Sequence, residues 1–305
     1  MRVAFFVGND ITSHLIVGQV LSDVLRAGHT PYICYTHQQP GARAEPELRE
    51  LFRYERTLLN SWVHPYLDSL PAPLHGTLLS PAGIAKLHRD KAVVRVVEDV
   101  NDPAFIAYLA AENVRAGFSV RCYQKFRAPL IDHFRPEPGE PALFANLHPG
   151  ILPRYRGVLT FARSMLQGET EAGFTLHRVN EDWDAGGIVS LSTAPLRYDR
   201  SVLENMTDQR GQAAGLLLDA IEQAAAHGRW TDRPQDPAEA GYYSHLRRAD
   251  LDELHRKGIE LFRPRAVIEL LVDAFTRAGS PESFELRGIL SGITSRRPEA
   301  VGAPV

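Results

Sequence analysis

The sequence predicts an α/β protein with a doubly wound, mostly parallel sheet and a smaller, mainly helical C-terminal region. Short apolar runs rich in Val, Ile and Phe alternate with segments whose apolar residues recur at helical spacing. That alternation is typical of β-α-β units, in which parallel strands are joined by crossover helices. After Trp230 the strand-like runs end, and the remaining apolar patterns are helical.

The first β-α-β unit lies at the N-terminus. RVAFFVG (2–8) predicts a buried strand, because it is short, apolar and rich in Val and Phe. A helix is predicted over 11–25, since an Asn-Asp pair before it can cap its start and Gly28 stands just beyond its end. YICYT (32–36) is the second strand, and the crossover helix implies that the two strands are parallel.

The same alternation continues along the chain. Further strands are predicted over 92–100, 116–120, 142–148, 172–179 and 186–196, and helices over 45–59, 102–114, 128–134, 158–167, 200–227, 249–261 and 264–275. A Pro- and Asp-rich linker follows Trp230, and the tail 295–305 is expected to be mobile. We therefore divide the chain into a sheet domain over 1–200 and a helical region over 201–305.

Composition and charge narrow the class of protein. Of the 305 residues 44% are hydrophobic and 23% charged, and the net charge is −3, so neither a nucleic acid nor a membrane surface is an expected partner. Two cysteines provide neither a disulfide framework nor a zinc site, and no metal is expected. The N-terminal apolar run is too short for a signal peptide, and no run reaches the ~18 residues of a membrane span. A cytoplasmic location is expected.

Several common motifs are absent from the sequence. GxGxxG, the P-loop pattern, GxSxG, HExxH and CxxC do not occur, so a dinucleotide or nucleotide phosphate site is not indicated. The single glycine after the first strand is too little to surround a pyrophosphate.

The stretch FANLHPGILPRYRG (144–157) differs from an ordinary core strand. Asn146 and His148 close an apolar strand and, being two residues apart, project from the same face. Ligands of parallel sheets bind beyond the carboxyl ends of strands, which is where these two residues lie. Asp184 also follows a strand, and the Ala-Gly-Gly after it lets a ligand approach the backbone closely.

Asn146, His148 and Asp184 together suit acyl transfer to an amine. An Asn amide can donate to the oxyanion of a tetrahedral intermediate, and a His can accept the proton of the amine. A neighbouring carboxylate orients the His and raises its pKa. Taken singly, an Asn-x-His pair is usually a loop pair and an Asp before Gly-Gly a turn residue. The combination in one α/β sheet favours catalysis.

These residues resemble the tetrahydrofolate-dependent formyltransferases, a family that includes glycinamide ribonucleotide, methionyl-tRNA, sugar-amine and hydroxyornithine formyltransferases. The resemblance rests on NLHPGILPRYRG and GFTLHRVNEDWDAGGIV and extends over about 1–196. Gly150 is a departure, because the family usually has Ser at that position. The resemblance implies a formyltransferase-type, Rossmann-like catalytic domain, 10-formyltetrahydrofolate as donor, and a catalytic set of Asn146, His148 and Asp184.

The resemblance also implies where the donor binds. The segment with Gln124, Lys125 and Phe126 and the turn with Asn180, Glu181 and Asp182, which ends at Trp183, are expected to line the pterin pocket. Phe126 is as well explained by core packing. His177 matches a family position, but a structural role is favoured for it. Arg154 and Arg156 either hold an anionic acceptor or are solvated.

The acceptor is inferred from the C-terminal region. A methionyl-tRNA enzyme should have a β-rich, basic domain there, and a glycinamide ribonucleotide enzyme is usually shorter. A small-molecule amine or hydroxylamine is therefore expected, either N5-hydroxyornithine-like, as in siderophore synthesis, or an amino-sugar nucleotide, with the amino-acid type favoured. A homodimer is left open. The alternatives are a 10-formyltetrahydrofolate hydrolase, although such enzymes usually have an N-terminal regulatory domain and this chain begins with the first strand, and a folate-binding protein without turnover.

Overall fold

The computed structural model of the protein describes residues 1–36 and 45–295. Its centre is a sheet of seven strands, and a separate pair of two-residue strands lies beside it. The strands are β1 (Arg2–Gly8), β2 (Thr30–Thr36), β3 (Val93–Val97), β4 (Ala116–Val120), β5 (Phe144–His148), β6 (Arg156–Gly157), β7 (Glu171–Arg178), β8 (Ile188–Pro195) and β9 (Tyr242–Tyr243). All the predicted strands are present, with shorter bounds at several ends.

The order of strands in the large sheet is β3-β2-β1-β4-β5-β7-β8. The first five strands in this order are parallel, which follows from the helical crossovers between them. β7 runs antiparallel to both β5 and β8. The predicted doubly wound, mostly parallel sheet is therefore confirmed, with one antiparallel strand near an edge.

Twelve α-helices surround the sheet within the described part of the chain. They are α1 (Ile11–Arg26), α2 (Pro46–Phe52), α3 (His64–Ser69), α4 (Pro81–Leu87), α5 (Pro103–Ala111), α6 (Ala128–His133), α7 (Thr160–Leu166), α8 (Val202–Asp208), α9 (Arg210–His227), α10 (Arg248–Arg256), α11 (Pro264–Phe275) and α12 (Pro281–Ser295). α2 and α3 are the ends of one helical run, joined by two π-helical segments, Arg53–Thr57 and Leu59–Val63. The helix predicted over 45–59 thus continues further, and α4 and α12 were not predicted.

Each face of the sheet is covered by its own apolar cluster. Successive residues of β1 point to opposite faces, so Phe5 belongs to one cluster and Phe6 to the other. The larger cluster contains α1, α9 and the C-terminal helices, and the smaller contains α5 and α6. Burial on both faces explains why the strands are almost continuously apolar in sequence.

The C-terminal region is helical, as predicted, and packs on the larger cluster through Leu251, Leu271 and Leu286. Between α9 and α10 the short strand β9 pairs in parallel with β6, which brings the C-terminal region next to the loop after β5. The expected division at residue 200 stays a prediction. The expected mobile tail lies outside the described residues, apart from Ser295. Within the described ranges, no helix is both long and apolar enough to cross a membrane.

Candidate active site

The site is built at the carboxyl end of β5. Asn146 and His148 project from the same face of this strand, as predicted from their spacing. β7 pairs with β5 such that His177 lies opposite Asn146. The turn after β7 then returns Asp184 to the same place. Four side chains from two neighbouring strands and one turn therefore converge.

The distances show one connected group. Asp184 Oδ1 lies 3.4 Å from His148 Nδ1 and 3.5 Å from both His177 Nε2 and Asn146 Nδ2. Asn146 Nδ2 lies 3.1 Å from His177 Nε2. The three residues predicted to be catalytic are thus brought together. His177, for which a structural role was favoured, is in contact with two of them.

The ring of His148 is held by the backbone. Its Nε2 lies 2.6 Å from the carbonyl oxygen of Tyr155, and because a carbonyl only accepts, Nε2 donates the hydrogen. In the neutral ring Nδ1 therefore has no hydrogen and faces Asp184 as a base. Burial lowers the pKa of His148, and this effect outweighs the rise caused by Asp184. The net direction is opposite to the rise expected from the carboxylate alone, because the residue is almost fully buried.

Asp184 is held by hydrogen bonds to its carboxylate and to its backbone. Its backbone has a left-handed conformation with φ +54°, and the amide of Gly157 donates to Oδ2 at 2.8 Å. The side chain of Gln235 donates to the carbonyl oxygens of Asp184 and Gly186 at 2.8 and 2.7 Å. Burial alone would raise the pKa of Asp184, but His148, His177 and the Gly157 amide together hold it well below its usual range. Asp184 is therefore an anion at neutral pH.

His177 orients the amide of Asn146. Its Nδ1 lies 2.9 Å from the carbonyl oxygen of Arg178, so Nδ1 donates and Nε2 is the acceptor in the neutral ring. Nε2 then accepts a hydrogen from Asn146 Nδ2. The second amide hydrogen of Asn146 has only the long contact to Asp184, and it is the one left to bond a ligand.

A cavity of ≈ 800 Å³ opens over these four residues. This volume is in the range of small-molecule sites. Its walls come from both parts of the chain, since the segments around Leu51–Arg56, 121–126, 146–149, 177–184 and 242–247 all contribute. The C-terminal region therefore takes part in the site.

The residues predicted to bind the donor occupy two places. Lys125, Phe126 and the turn Asn180–Asp182 line the cavity together with Trp183, which is half-exposed. Phe126 also packs on Phe144, with ring centroids 4.7 Å apart, so it belongs to the core as well. Gln124 does not line the cavity. The donor-binding roles themselves stay predictions.

Gln124 instead connects two backbone segments. Its Oε1 accepts from the amide of Val100 at 3.0 Å, and its Nε2 donates to the carbonyl oxygen of Glu98 at 2.8 Å. The two loop arginines also have protein partners. Arg154 pairs with Glu169, and Arg156 donates two hydrogen bonds to Gln235. Neither arginine lines the cavity, so of the two expectations for them the geometry does not support contact with an anionic acceptor.

Residues 100–220 match the formyl transferase family. The chain contains a formyl transferase domain. This domain includes the four converging side chains, and it confirms the resemblance seen in the two sequence motifs.

Curated relatives match the protein over part of their length. The methionyl-tRNA formyltransferase of Roseiflexus sp. (strain RS-1) is 30% identical over 153 residues, which cover 50% of this chain and 45% of that protein. The chain thus spans less than half the length of the curated relatives reported for it.

Solved structures share the fold of this chain over most of its length. A sugar N-formyltransferase from Shewanella sp FDAARGOS_354 has a TM-score of 0.51 and 15% identity, over 84% of this chain and 88% of that one. The N-formyltransferase from Helicobacter canadensis, in complex with folinic acid and dTDP-3-aminofucose, has the same TM-score and identity, over 82% and 72% of the two chains. These similarities establish a common fold.

Proposed function

We propose that the protein transfers a formyl group from 10-formyltetrahydrofolate to the amine or hydroxylamine of a small molecule. The observation that supports this most is the contact of His148 and Asn146 with an ionised Asp184 at the base of a cavity in the formyl transferase domain. A base, an amide donor and an anion within about one hydrogen-bond length of each other suit acyl transfer to nitrogen.

The reaction proceeds through a tetrahedral intermediate. The acceptor nitrogen attacks the formyl carbon, and the oxyanion accepts a hydrogen bond from Asn146. His148 Nδ1 takes the proton that the acceptor nitrogen loses, and Asp184 stabilises the imidazolium at 3.4 Å. The bond between the formyl carbon and N10 of the donor then breaks. The proton passes from His148 to N10, so that tetrahydrofolate and the formamide leave with all atoms balanced.

In this proposal the donor binds against the wall formed by Lys125, Phe126, Trp183 and the turn Asn180–Asp182. The pterin is flat and carries several hydrogen-bonding groups, and this wall combines the rings of Phe126 and Trp183 with the polar residues of a turn. The folinic acid complex of the Helicobacter canadensis N-formyltransferase supports a folate donor in this fold. Gln124 acts indirectly in this proposal, by fixing the backbone at 98–100.

The acceptor is proposed to be small, either an N5-hydroxyornithine-like amino acid or an amino sugar. The loop between β9 and α10 closes one side of the cavity through Ser244, His245 and Leu246, which suits a small acceptor better than a tRNA. The similarity to a methionyl-tRNA formyltransferase lies within half of the chain, and the N-formyltransferases of similar fold include sugar enzymes. We propose a cytoplasmic location and leave a homodimer as an open prediction.

The test is a formylation assay on the purified protein. It is incubated with 10-formyltetrahydrofolate and a panel of N5-hydroxyornithine, amino-sugar nucleotides, glycinamide ribonucleotide and initiator methionyl-tRNA, and products are followed by mass spectrometry. Formylation of a small amine supports the proposal. Consumption of donor at one rate with and without acceptor indicates the hydrolase instead. Binding of folinic acid without any product indicates a folate-binding protein, and selective tRNA formylation contradicts the choice of a small acceptor.

A further inference from the structure

Arg56 is a buried cation on the cavity wall, and no described residue accepts a hydrogen bond from its Nη1. Its side chain is 6% exposed, and within residues 1–36 and 45–295 its Nη1 has no hydrogen-bond acceptor. The guanidinium lies over the rings of Tyr123 and Phe52, with 4.6 and 4.9 Å between Cζ and the centroids. A buried donor that is left unsatisfied destabilises the fold, so its retention points to a ligand that satisfies it.

The neighbouring charges are already paired with each other. Arg121 lies 3.2 Å from Asp10 and 3.0 Å from Glu55, and it donates to the hydroxyl of Tyr123 at 2.8 Å. These contacts leave the hydroxyl hydrogen of Tyr123 as a second donor on the cavity wall, on the residue whose ring the guanidinium of Arg56 covers. Two donors on neighbouring side chains of one wall suit the two oxygens of a carboxylate.

Arg56 differs from the other arginines that have an unsatisfied buried nitrogen, because it has no ion pair with a described residue. In the described ranges Arg163 and Arg200 also have a buried nitrogen without a partner, yet each pairs with a carboxylate through another nitrogen. Neither of them lines the cavity. No carboxylate among the described residues lies within ion-pair distance of Arg56.

Arg56 lies in a stretch of backbone with π-helical geometry. It belongs to the π-helical segment Arg53–Thr57, and the consecutive residues Glu55 and Arg56 both line the cavity. Single π-helical turns inside α-helices occur frequently at functional sites. The run from Pro46 to Ser69 thus departs from α-helical geometry where the two charged residues meet the cavity.

The net charge of the residues around Arg56 limits the class of ligand that can bind there. Asp10, Glu55, Arg56 and Arg121 carry two negative and two positive charges, so the cluster is formally neutral. A diphosphate would meet two buried acids without a surplus of positive charge to balance it. An amino acid with one carboxylate and one ammonium group adds no net charge, and its carboxylate meets the unsatisfied donor of Arg56.

We propose that Arg56, with the hydroxyl of Tyr123, binds the carboxylate of an amino-acid acceptor. This rests on the proposed function, because the acceptor amine has to reach His148 from the same cavity. The glutamyl carboxylates of the folate donor are the other source of this chemistry. The site therefore selects an amine that carries a carboxylate, and it disfavours nucleotide sugars.

The experiment measures binding, so that it does not depend on turnover. N5-hydroxyornithine and its methyl ester are titrated by isothermal titration calorimetry into the protein saturated with folinic acid. We expect the acid to bind at least about tenfold more tightly than the ester, as a charge-assisted hydrogen bond is lost in the ester. Arg56→Met should weaken the acid about 10- to 100-fold and leave the ester and folinic acid unchanged.

Arg95→Met is the matched control. Arg95 also stacks on a tyrosine, with Cζ 3.9 Å from the ring centroid of Tyr108, but it does not line the cavity. This variant should bind all three probes like the parent protein. Arg56→Met should also melt at the same or a higher temperature, because it removes an unsatisfied buried donor. If it does not fold, Tyr123→Phe should weaken the acid selectively; it removes the second donor and also the hydroxyl that accepts from Arg121, which keeps its ion pairs with Asp10 and Glu55.

The contrary results are distinct. Equal affinity for the acid and the ester in the parent protein overturns the proposal, as does a selective loss of folinic acid binding in Arg56→Met, which assigns the carboxylate to the donor. A nucleotide amino sugar that binds more tightly than N5-hydroxyornithine also overturns it. Selective binding of the acid without any formylated product keeps this site and contradicts only the proposed function.

Discussion

His148 Nε2 lies 2.6 Å from the carbonyl oxygen of Tyr155, and the backbone of Gly150 lies directly beside this hydrogen bond. A Cβ at position 150 would be 2.7 Å from both bonded atoms. The missing side chain therefore leaves room for the bond that sets the tautomer of His148. This gives a physical reason for a glycine at a position where the family usually has Ser.

Gly150→Ala should lower kcat by about 10- to 100-fold, because the ring of His148 has to move away from its base position. The carbonyl oxygen belongs to the backbone, so the ring is the part that shifts. Folinic acid affinity should stay unchanged, since the predicted donor wall is formed by other segments. Steady-state formylation and calorimetry of folinic acid check the two statements separately.

Gly215→Ala is the control for that change. Gly215 lies inside α9, and a Cβ there would meet no atom within 4 Å. The variant should keep its kcat and gain about 0.5–1 kcal/mol of stability, because alanine is the better helix former. If Gly150→Ala kept the parental kcat and pH profile, the fixed tautomer would have no role in turnover.

His148→Ala and Asn146→Ala should each lose at least about two orders of magnitude in kcat. The first removes the proton acceptor and the second the oxyanion donor. Folinic acid binding, measured in parallel, should change little. A folded His148→Ala protein that binds folinic acid and keeps more than about a tenth of the activity would contradict the assignment, since ~1.4 kcal/mol is too small for a general base.

His177→Ala tests whether this residue acts through Asn146. Its Nε2 accepts from the amide at 3.1 Å, so its loss should free the amide and lower kcat by about tenfold. The double variant with Asn146→Ala should be no slower than Asn146→Ala alone, because the residues act as one unit. Independent, multiplying losses would show that His177 has a separate role.

Asp184→Asn should lower kcat and move the acid limb of the pH profile to lower pH. Burial lowers the pKa of His148 and Asp184 raises it, so removing the carboxylate lets the pKa fall further. The base form then persists at lower pH, while the imidazolium formed during turnover is less stabilised. The measurement is kcat against pH for both proteins with one acceptor. An acid limb that moved to higher pH would contradict this ordering of effects.

The sheet could be predicted because its strands are buried on both faces and leave apolar runs in the sequence. α4 was missed because Ile84 is its single fully buried residue, so no apolar period is visible. α12 contains glycine and several serines, which weaken the helical signal although Leu286 and Leu290 are buried. The pairing of β6 with β9 joins distant segments through two residues each, and no local pattern marks it.

The sequence allowed the side chains of the site to be predicted, but not its backbone groups. Asn146 and His148 follow from the two-residue period of a strand, and Asp184 from the turn after the next strand. The carbonyl of Tyr155 and the amide of Gly157 are backbone groups, which any residue supplies, so sequence gives no sign of them. Asp184 raises the pKa of His148, as expected, but the net pKa is lowered because burial, which depends on the complete fold, has the larger effect.

A last prediction concerns stability in acid and depends on a second buried histidine. His14 lies in α1, and its Nε2 donates to the carbonyl oxygen of Leu79 at 2.8 Å. Burial lowers its pKa from 6.5 to about 4. Below pH 6.5 the unfolded chain therefore binds a proton that the folded protein does not, so stability falls as the pH falls towards about 4.

The loss from His14 should reach about 3 kcal/mol at the acid end of this window, at 1.36 kcal/mol per pKa unit. Urea unfolding at about pH 7 and about pH 4.5, followed by circular dichroism, measures the slope. His14→Gln keeps a donor for Leu79 and does not titrate, so the difference between the two pH values should shrink by most of that amount. His64 remains in both proteins, and its pKa is lowered by burial and also by the charge of His14. Its contribution to the slope is therefore somewhat smaller in His14→Gln, which acts in the same direction as the loss of His14. An unchanged difference in His14→Gln would show that His14 is not the group that makes the fold acid-sensitive.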